Sequence, residues 1–168
     1  SHKIYVSESH LFTIIGGKWT TFRRMAQDLV DKVEKTKRWT KTTSITKDFR
    51  IHGYKTEVEE TNPFYFYGTD SDYICQLMKD EQGMDQLLSN RISLYAAQVA
   101  WAVRKEMART VEDVLSRRVR CLLLDAREAM LIAPKVAEIM AKELSKNESW
   151  QKQQVDDFVN IASKYLLR

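Results

Sequence analysis

The 168-residue chain is 43% hydrophobic and 30% charged, the balance of a soluble globular protein that can bury a core, which excludes a disordered tail. Five glycines and two prolines are too few for a turn-rich β-sandwich and favour helices. The net charge of +4 permits an anionic partner but selects none, and with cations and acids interleaved it reads as a solvated face rather than a nucleic-acid footprint.

The first stretch, from Ile4 to Ile15, is rich in extended formers, and Leu11-Phe12-Thr13-Ile14-Ile15 predicts a buried strand. One or two strands cannot close a sheet, so this edge is expected to belong to a sheet lying outside the chain. Gly16-Gly17 ends the strand, and a helix is predicted to about Lys35, with Phe22, Met25, Ala26, Leu29, Val30 and Val33 forming one apolar stripe. The strand–glycine–helix junction lets backbone approach an anionic ligand, because first-turn N–H groups lack intrahelical acceptors. Lys18 adds a full charge, and Thr20 and Thr21 add hydroxyls. The same Gly-Gly pair also reads as a plain tight turn.

Residues 36–63 are polar and predict a long connection, with a short extended piece at residues 49–54. Phe64-Tyr65-Phe66-Tyr67 are expected to plug a joint between elements. Thr69-Asp70-Ser71-Asp72 has the form of a capping box, with Thr69 as N-cap of a helix to about Lys79. A turn is expected at residues 84–88. Then Ile92, Tyr95, Ala96, Val99, Ala100, Val103 and Met107 form one stripe, with Ala97 and Trp101 to its side.

Thr110-Val111-Glu112-Asp113 is a second capping box, predicting a helix from Val111 toward Met130 with a bend near Cys121. Pro134 is expected in the first turn of a further helix to about Leu144, and a last helix starts near Trp150. The elements make a mainly α fold: a helical bundle preceded by one or two short β-strands.

Catalytic constellations are sparse. His2, His10 and His52 have no metal-ligand spacing, and neither Cys75 nor Cys121 has a neighbouring His as base. The two cysteines have no CxxC spacing and read as core or half-buried thiols of a reducing compartment. No apolar segment is long enough to span a bilayer, and no dinucleotide or phosphate loop occurs. Asp113 and Arg117 are i, i+4 neighbours in a charged segment that serves either structural pairing or a phosphate grip.

Gly16-Gly17-Lys18-Trp19-Thr20-Thr21-Phe22-Arg23-Arg24-Met25-Ala26 resembles the GGKxTTYRxMA segment of FAD-dependent glycerol-3-phosphate dehydrogenases. Ile51-His52-Gly53-Tyr54 and Tyr67-Gly68-Thr69-Asp70 are similar to that family's HGY and YGxD stretches. The run from Trp101 to Ala108, that from Thr110 to Arg120, and Leu123-Leu124-Asp125-Ala126-Arg127 resemble its helical signature and LDAR.

The resemblance implies the C-terminal region of an enzyme that oxidises sn-glycerol 3-phosphate to dihydroxyacetone phosphate, passing electrons through FAD to quinone; related oxidases use oxygen. It implies that residues 1–35 are the tail of the FAD-binding domain, residues 36–62 a linker, and residues 63–168 an all-helical cap. The strands would then be remnants of the flavin-domain sheet.

By the same likeness Gly16, Gly17, Lys18, Trp19, Thr20 and Thr21 would contact the flavin, with Lys18 also serving the substrate phosphate. Partners would be the protein's own N-terminal FAD domain, the substrate, quinone and a peripheral membrane contact on the cytoplasmic face, with no nucleic acid. Phe22 departs from the family's common Tyr and removes a hydroxyl. Lacking the dinucleotide loop, this chain by itself is expected neither to hold FAD nor to turn over substrate. The competing reading is a stand-alone helical module that docks an acidic partner or an anionic membrane surface.

Overall fold

The computed structural model describes residues 2–58 and 61–166. Ser1, Glu59 and Glu60 of the polar connection, and Leu167 and Arg168 of the helical region lie outside the described residues. Two compact units divide the chain, Ser1–His52 and Gly53–Arg168.

In the first unit, β1 (His2–Val6) and β2 (Phe12–Gly16) pair antiparallel, with Ile4 opposite Ile14 and His2 opposite Gly16. The predicted strand therefore forms, but it is not buried. Phe12 and Ile14 are half-buried while Leu11 and Ile15 are exposed, because a two-stranded ribbon has no second layer on its outer face.

Helix α1 (Phe22–Lys37) follows a 3-10 turn at Trp19–Thr21. Its expected single stripe splits: Met25, Leu29 and Val33 are half-buried, whereas Phe22, Ala26 and Val30 are exposed. Arg38 ends the helix in the left-handed conformation at φ 56°, donating its N–H back to Glu34 and Lys35 carbonyls. The chain then folds back on α1. Trp39 N–H donates to the Glu34 carbonyl at 2.9 Å, and Arg23 Nη1 donates to Thr46 Oγ1 at 3.1 Å. The extended piece expected at residues 49–54 does not form; no strand partner is offered there among the described residues.

The second unit is helical. Helix α2 (Ser71–Asp80) starts one residue later than its capping box predicts, with Asp70 rather than Thr69 at the N-cap position. Gly68, at φ 58° and ψ −125°, turns the 3-10 stretch Tyr65–Asp70 so that Thr69 N–H donates instead to Gly53 O at 3.2 Å. Residues 84–88 are not simply a turn. β3 (Leu87–Ser89) pairs with β4 (Leu94–Tyr95) across a bulge, and Ser89 Oγ accepts from Arg91 and Ile92 N–H while donating to Glu128 at 2.6 Å.

Strand β4 delays the start of α3 (Ala96–Lys105), so Ile92 and Tyr95 fall outside the helix, and Met107 lies beyond its end. Residues Ala96 through Val103 are all buried. Val99, Ala102 and Val103 join the main core with Val114, Val136, Met140 and Phe158, while Ala97 and Trp101 join a second cluster with Phe64 and Ile74. Phe64 thus plugs a joint as expected, but Tyr65 and Phe66 are exposed. Arg104 ties this helix to its neighbours through both Glu81 (2.7 and 2.8 Å) and Glu143 (2.6 and 2.7 Å).

Beyond Val111 the chain forms a π-helical segment, Asp113–Arg118, then α4 (Cys121–Leu124), α5 (Ala126–Leu144) and α6 (Glu148–Ala162). The helix predicted to run toward Met130 breaks at Arg120, φ 55°, and again at Asp125, whose side chain caps α5 by accepting from Glu128 N–H at 3.0 Å. Pro134 therefore lies inside α5 rather than in a first turn. An interior proline costs about 3 kcal/mol, and burial of Ala129, Ile132, Ala133, Val136 and Ala137 around it offsets that cost. Asn147 caps α6 by accepting from Trp150 N–H at 3.0 Å. The architecture is mainly α with two short two-stranded sheets, in keeping with the sequence reading.

Candidate functional site

The glycine junction is a loop whose backbone only glycine tolerates easily. Gly16 and Gly17 have φ 79° and 82°. A Cβ on Gly17 would stand 2.4 Å from Met25 Sδ, so the missing side chain lets the loop close against α1. Lys18 then returns to extended geometry, φ −131° and ψ 154°, and the helical run begins at Trp19.

The turn is built by Thr21. Lys18 N–H donates to Thr21 Oγ1 at 3.1 Å, Thr21 Oγ1 donates to Lys18 O at 2.8 Å, and Thr21 N–H donates to the same carbonyl at 2.9 Å. That hydroxyl is committed to its own turn, which separates it from Thr20. All six residues from Gly16 to Thr21 are exposed, and Trp19, at 89%, has its ring centroid 6.2 Å from that of exposed Phe22. The junction thus presents an ammonium, a hydroxyl and the opening amides of a helical run on one short loop. Such a donor set suits an anionic or carbonyl oxygen.

Sequence reasoning missed a second polar cluster, in the helical unit. Gln98 is buried; its Oε1 accepts from Tyr95 N–H at 2.9 Å and its Nε2 donates to Tyr67 Oη at 3.2 Å. Burial pushes the Tyr67 phenol up to about 12, with the Gln98 bond working against it. Burial likewise raises the Glu106 carboxyl, opposed by Arg118 and reinforced by Asp70, and Glu106 Oε2 is buried with no hydrogen-bond partner. Arg118 Nη2 donates to the Glu106 backbone carbonyl at 2.6 Å. The signal available was Tyr67-Gly68-Thr69-Asp70, but residues this far apart in the chain meet only through the fold.

Arg117 pairs with Asp113 at 3.1 Å, as the i, i+4 spacing predicts, and with Glu112 at 2.8 Å. Among the described residues no group of three or more His, Cys, Asp or Glu could hold a metal ion, and no helix is long and apolar enough to cross a membrane. Cys75 is half-buried and Cys121 buried, both free thiols.

Residues 7–154 match the family described as the C-terminal domain of alpha-glycerophosphate oxidase. The chain belongs to this family. Relatives agree along nearly its whole length. It is 31% identical over 177 residues to a protein named "Probable glycerol-3-phosphate dehydrogenase, mitochondrial" from Dictyostelium discoideum, covering 95% of this chain and 28% of that protein. It is 29% identical over 190 residues to "Glycerol-3-phosphate dehydrogenase, mitochondrial" from Rattus norvegicus, covering 99% of this chain and 25% of the relative. For the Saccharomyces cerevisiae protein of the same name the figures are 25% identity over 208 residues, 98% and 31%. The chain therefore spans less than a third of the length of these relatives. The glycine junction lies wholly within the stretch matched to the family.

Proposed function

We propose that this chain is the C-terminal region of an FAD-dependent glycerol-3-phosphate dehydrogenase, and that the loop from Gly16 to Thr21 forms one edge of its flavin site. The reaction removes a hydride from C2 of sn-glycerol 3-phosphate and a proton from the hydroxyl on that carbon, giving dihydroxyacetone phosphate, and the electrons pass to quinone. In this reading residues 1–35 complete the FAD-binding domain, residues 36–62 link, and residues 63–168 form a helical cap. The protein works in the cytoplasm, peripheral at the inner face of the cell membrane, where quinone resides.

The observation that carries the reading is the exposed donor set of the junction, on a sequence matched to the family. Its chemistry fits a flavin edge. Gly16 and Gly17 bring backbone close without side chains in the way, the amides opening at Trp19 and Thr20 can donate to a ring carbonyl, and the Lys18 ammonium balances negative charge there. Bound FAD would supply the hydride acceptor. Lys18 serves either the flavin carbonyl or the substrate phosphate in this reading; Thr20 adds a hydroxyl donor, while Thr21 holds the turn that carries both residues.

In the full-length enzyme, Lys18→Met should lower kcat/KM for sn-glycerol 3-phosphate on the order of a hundredfold while the folded protein is retained. Flavin absorbance measured alongside separates the two roles: retained flavin with a raised KM assigns Lys18 to substrate phosphate, and lost flavin assigns it to the cofactor. Unchanged turnover with unchanged flavin content would overturn the site assignment. The 168-residue chain alone should purify without flavin absorbance.

A further inference from the structure

We propose that the outward side of α4 and α5 is a docking surface for an acidic amphipathic helix of a partner protein. The inference stands on the helical unit alone and uses none of the flavin-site chemistry. In α5, Ala129, Ile132, Ala133, Val136, Ala137 and Met140 are buried on one side. Arg127, Leu131, Pro134 and Lys135 recur at helical spacing on the opposite side and are exposed. Leu123 and Leu124 come directly before the α5 cap and extend the apolar surface; with Leu131 they are 65%, 74% and 75% exposed. Cys121 and Leu122 anchor α4 in the core, which turns these two leucines outward. Single exposed leucines are ordinary on a protein surface, whereas three grouped on adjoining turns mark an interaction site.

Charge selects the occupant. Exposed Arg120 and Arg127 bracket the leucine pair, and among the described residues neither forms an ion pair. The carboxylates nearby already have partners: Asp125 lies 2.6 Å from Arg91, Glu128 accepts from Ser89, and Glu138 lies 3.0 Å from Lys142. The surface therefore offers uncompensated cations around an apolar centre, which complements glutamates flanking apolar anchors and would repel a second copy of itself. Beside Leu124 a cleft of about 470 Å³, lined also by Arg91, Ile92, Ser93 and Asp125, gives room for one protruding side chain. A folded partner supplies such a knob and a fluid lipid layer does not. Pro134 has no N–H, so the Met130 carbonyl lacks its ordinary helical donor and can accept from a polar group of the partner.

The probe is a fluorescent peptide of about 18 residues, with leucines at i, i+3, i+4 and i+7 and glutamates on both flanks. Fluorescence anisotropy should show it binding the 168-residue chain, while a scrambled peptide of the same composition and a version with lysine for glutamate should not bind. Raising salt from about 50 to about 500 mM should weaken the complex severalfold. Leu124→Ser with Leu131→Ser should weaken it at least about tenfold through lost apolar burial. Arg120→Glu with Arg127→Glu should abolish binding of the glutamate peptide and confer binding of the lysine one, a reversal that a misfolded variant cannot produce. Circular dichroism identical to the parent's shows that each variant is folded. Equal binding of the scrambled peptide, no binding at all, or variants that bind like the parent overturn the proposal. So does a dimer of the parent, or its sedimentation with phosphatidylglycerol vesicles, that the double leucine substitution abolishes.

Discussion

Thr110 and Asp113 cap each other: Asp113 N–H donates to Thr110 Oγ1 at 3.1 Å, and Thr110 N–H donates to Asp113 Oδ2 at 3.0 Å. Burial pushes the Asp113 carboxyl upward, but N–H groups of Arg109 and Thr110, the Thr110 side chain and the Arg118 charge outweigh it and hold the group below its ordinary value. Asp113→Ala should cost about 1–2 kcal/mol, lowering Tm by roughly 2–4 °C per kcal/mol in a calorimetric scan. Because the folded-state value is depressed, this contribution is present above pH 3.8 and is lost as pH falls through the lowered value. Asp113→Asn should flatten that part of the acid limb.

Glu106 behaves in the opposite sense. Its carboxyl is raised above 4.5 by burial, so the folded protein holds the proton to higher pH than the unfolded chain. Stability is therefore greatest, for this group, below its ordinary value and declines as pH rises through the elevated one. Glu106→Gln should raise Tm at pH 7 and leave it nearly unchanged at pH 4. An equal shift at both pH values would show that the carboxylate is not paying a burial penalty.

The two cysteines should differ sharply toward a thiol reagent. Burial pushes the Cys121 thiol up to about 12, so almost none is thiolate near neutrality. Native protein at pH 8 should release one equivalent of chromophore from Ellman's reagent, from half-buried Cys75, and two after denaturation. The Cys75→Ser variant should then be silent until unfolded.

Gly68→Ala should damage the helical unit more than Gly17→Ala damages the other. A Cβ at Gly68 would lie 1.7 Å from the Gly53 carbonyl oxygen, which is backbone and cannot rotate away. The Cβ at Gly17 would instead meet the flexible end of Met25. With positive-φ strain common to both, Gly68→Ala should cost roughly 3 kcal/mol or more, and Gly17→Ala about 1–2 kcal/mol. Chemical denaturation of each variant gives the comparison.

Legibility in the sequence followed the range of the interactions. The box at Thr110 and Asp113, the Asp113–Arg117 pair and the glycine junction are each made by residues within a few positions, and their spacing alone reveals them. Pro134 misled because local preference puts proline at a helix start, whereas apolar burial along α5 prevails. Strands β3 and β4 are too short to show alternation, and the exposure of Leu11 and Ile15 depends on how many layers cover the ribbon. In the candidate site, the strand–glycine–helix junction was legible, but the commitment of the Thr21 hydroxyl to its own turn was not. The Tyr67–Gln98–Glu106 cluster stayed hidden because no window of sequence contains it.

Helix α3 has neighbours on every side from Ala96 to Val103, whereas only Phe158 and Ala162 of α6 are buried. The two helices should record ancestry differently. Across divergent copies, α6 can drift at most positions and retain only a periodic apolar imprint. In α3 a change at any of eight successive positions meets another side chain, so replacements must arise in compensating pairs with residues of both core clusters. The stretch least able to vary is then one that carries no proposed chemistry at all.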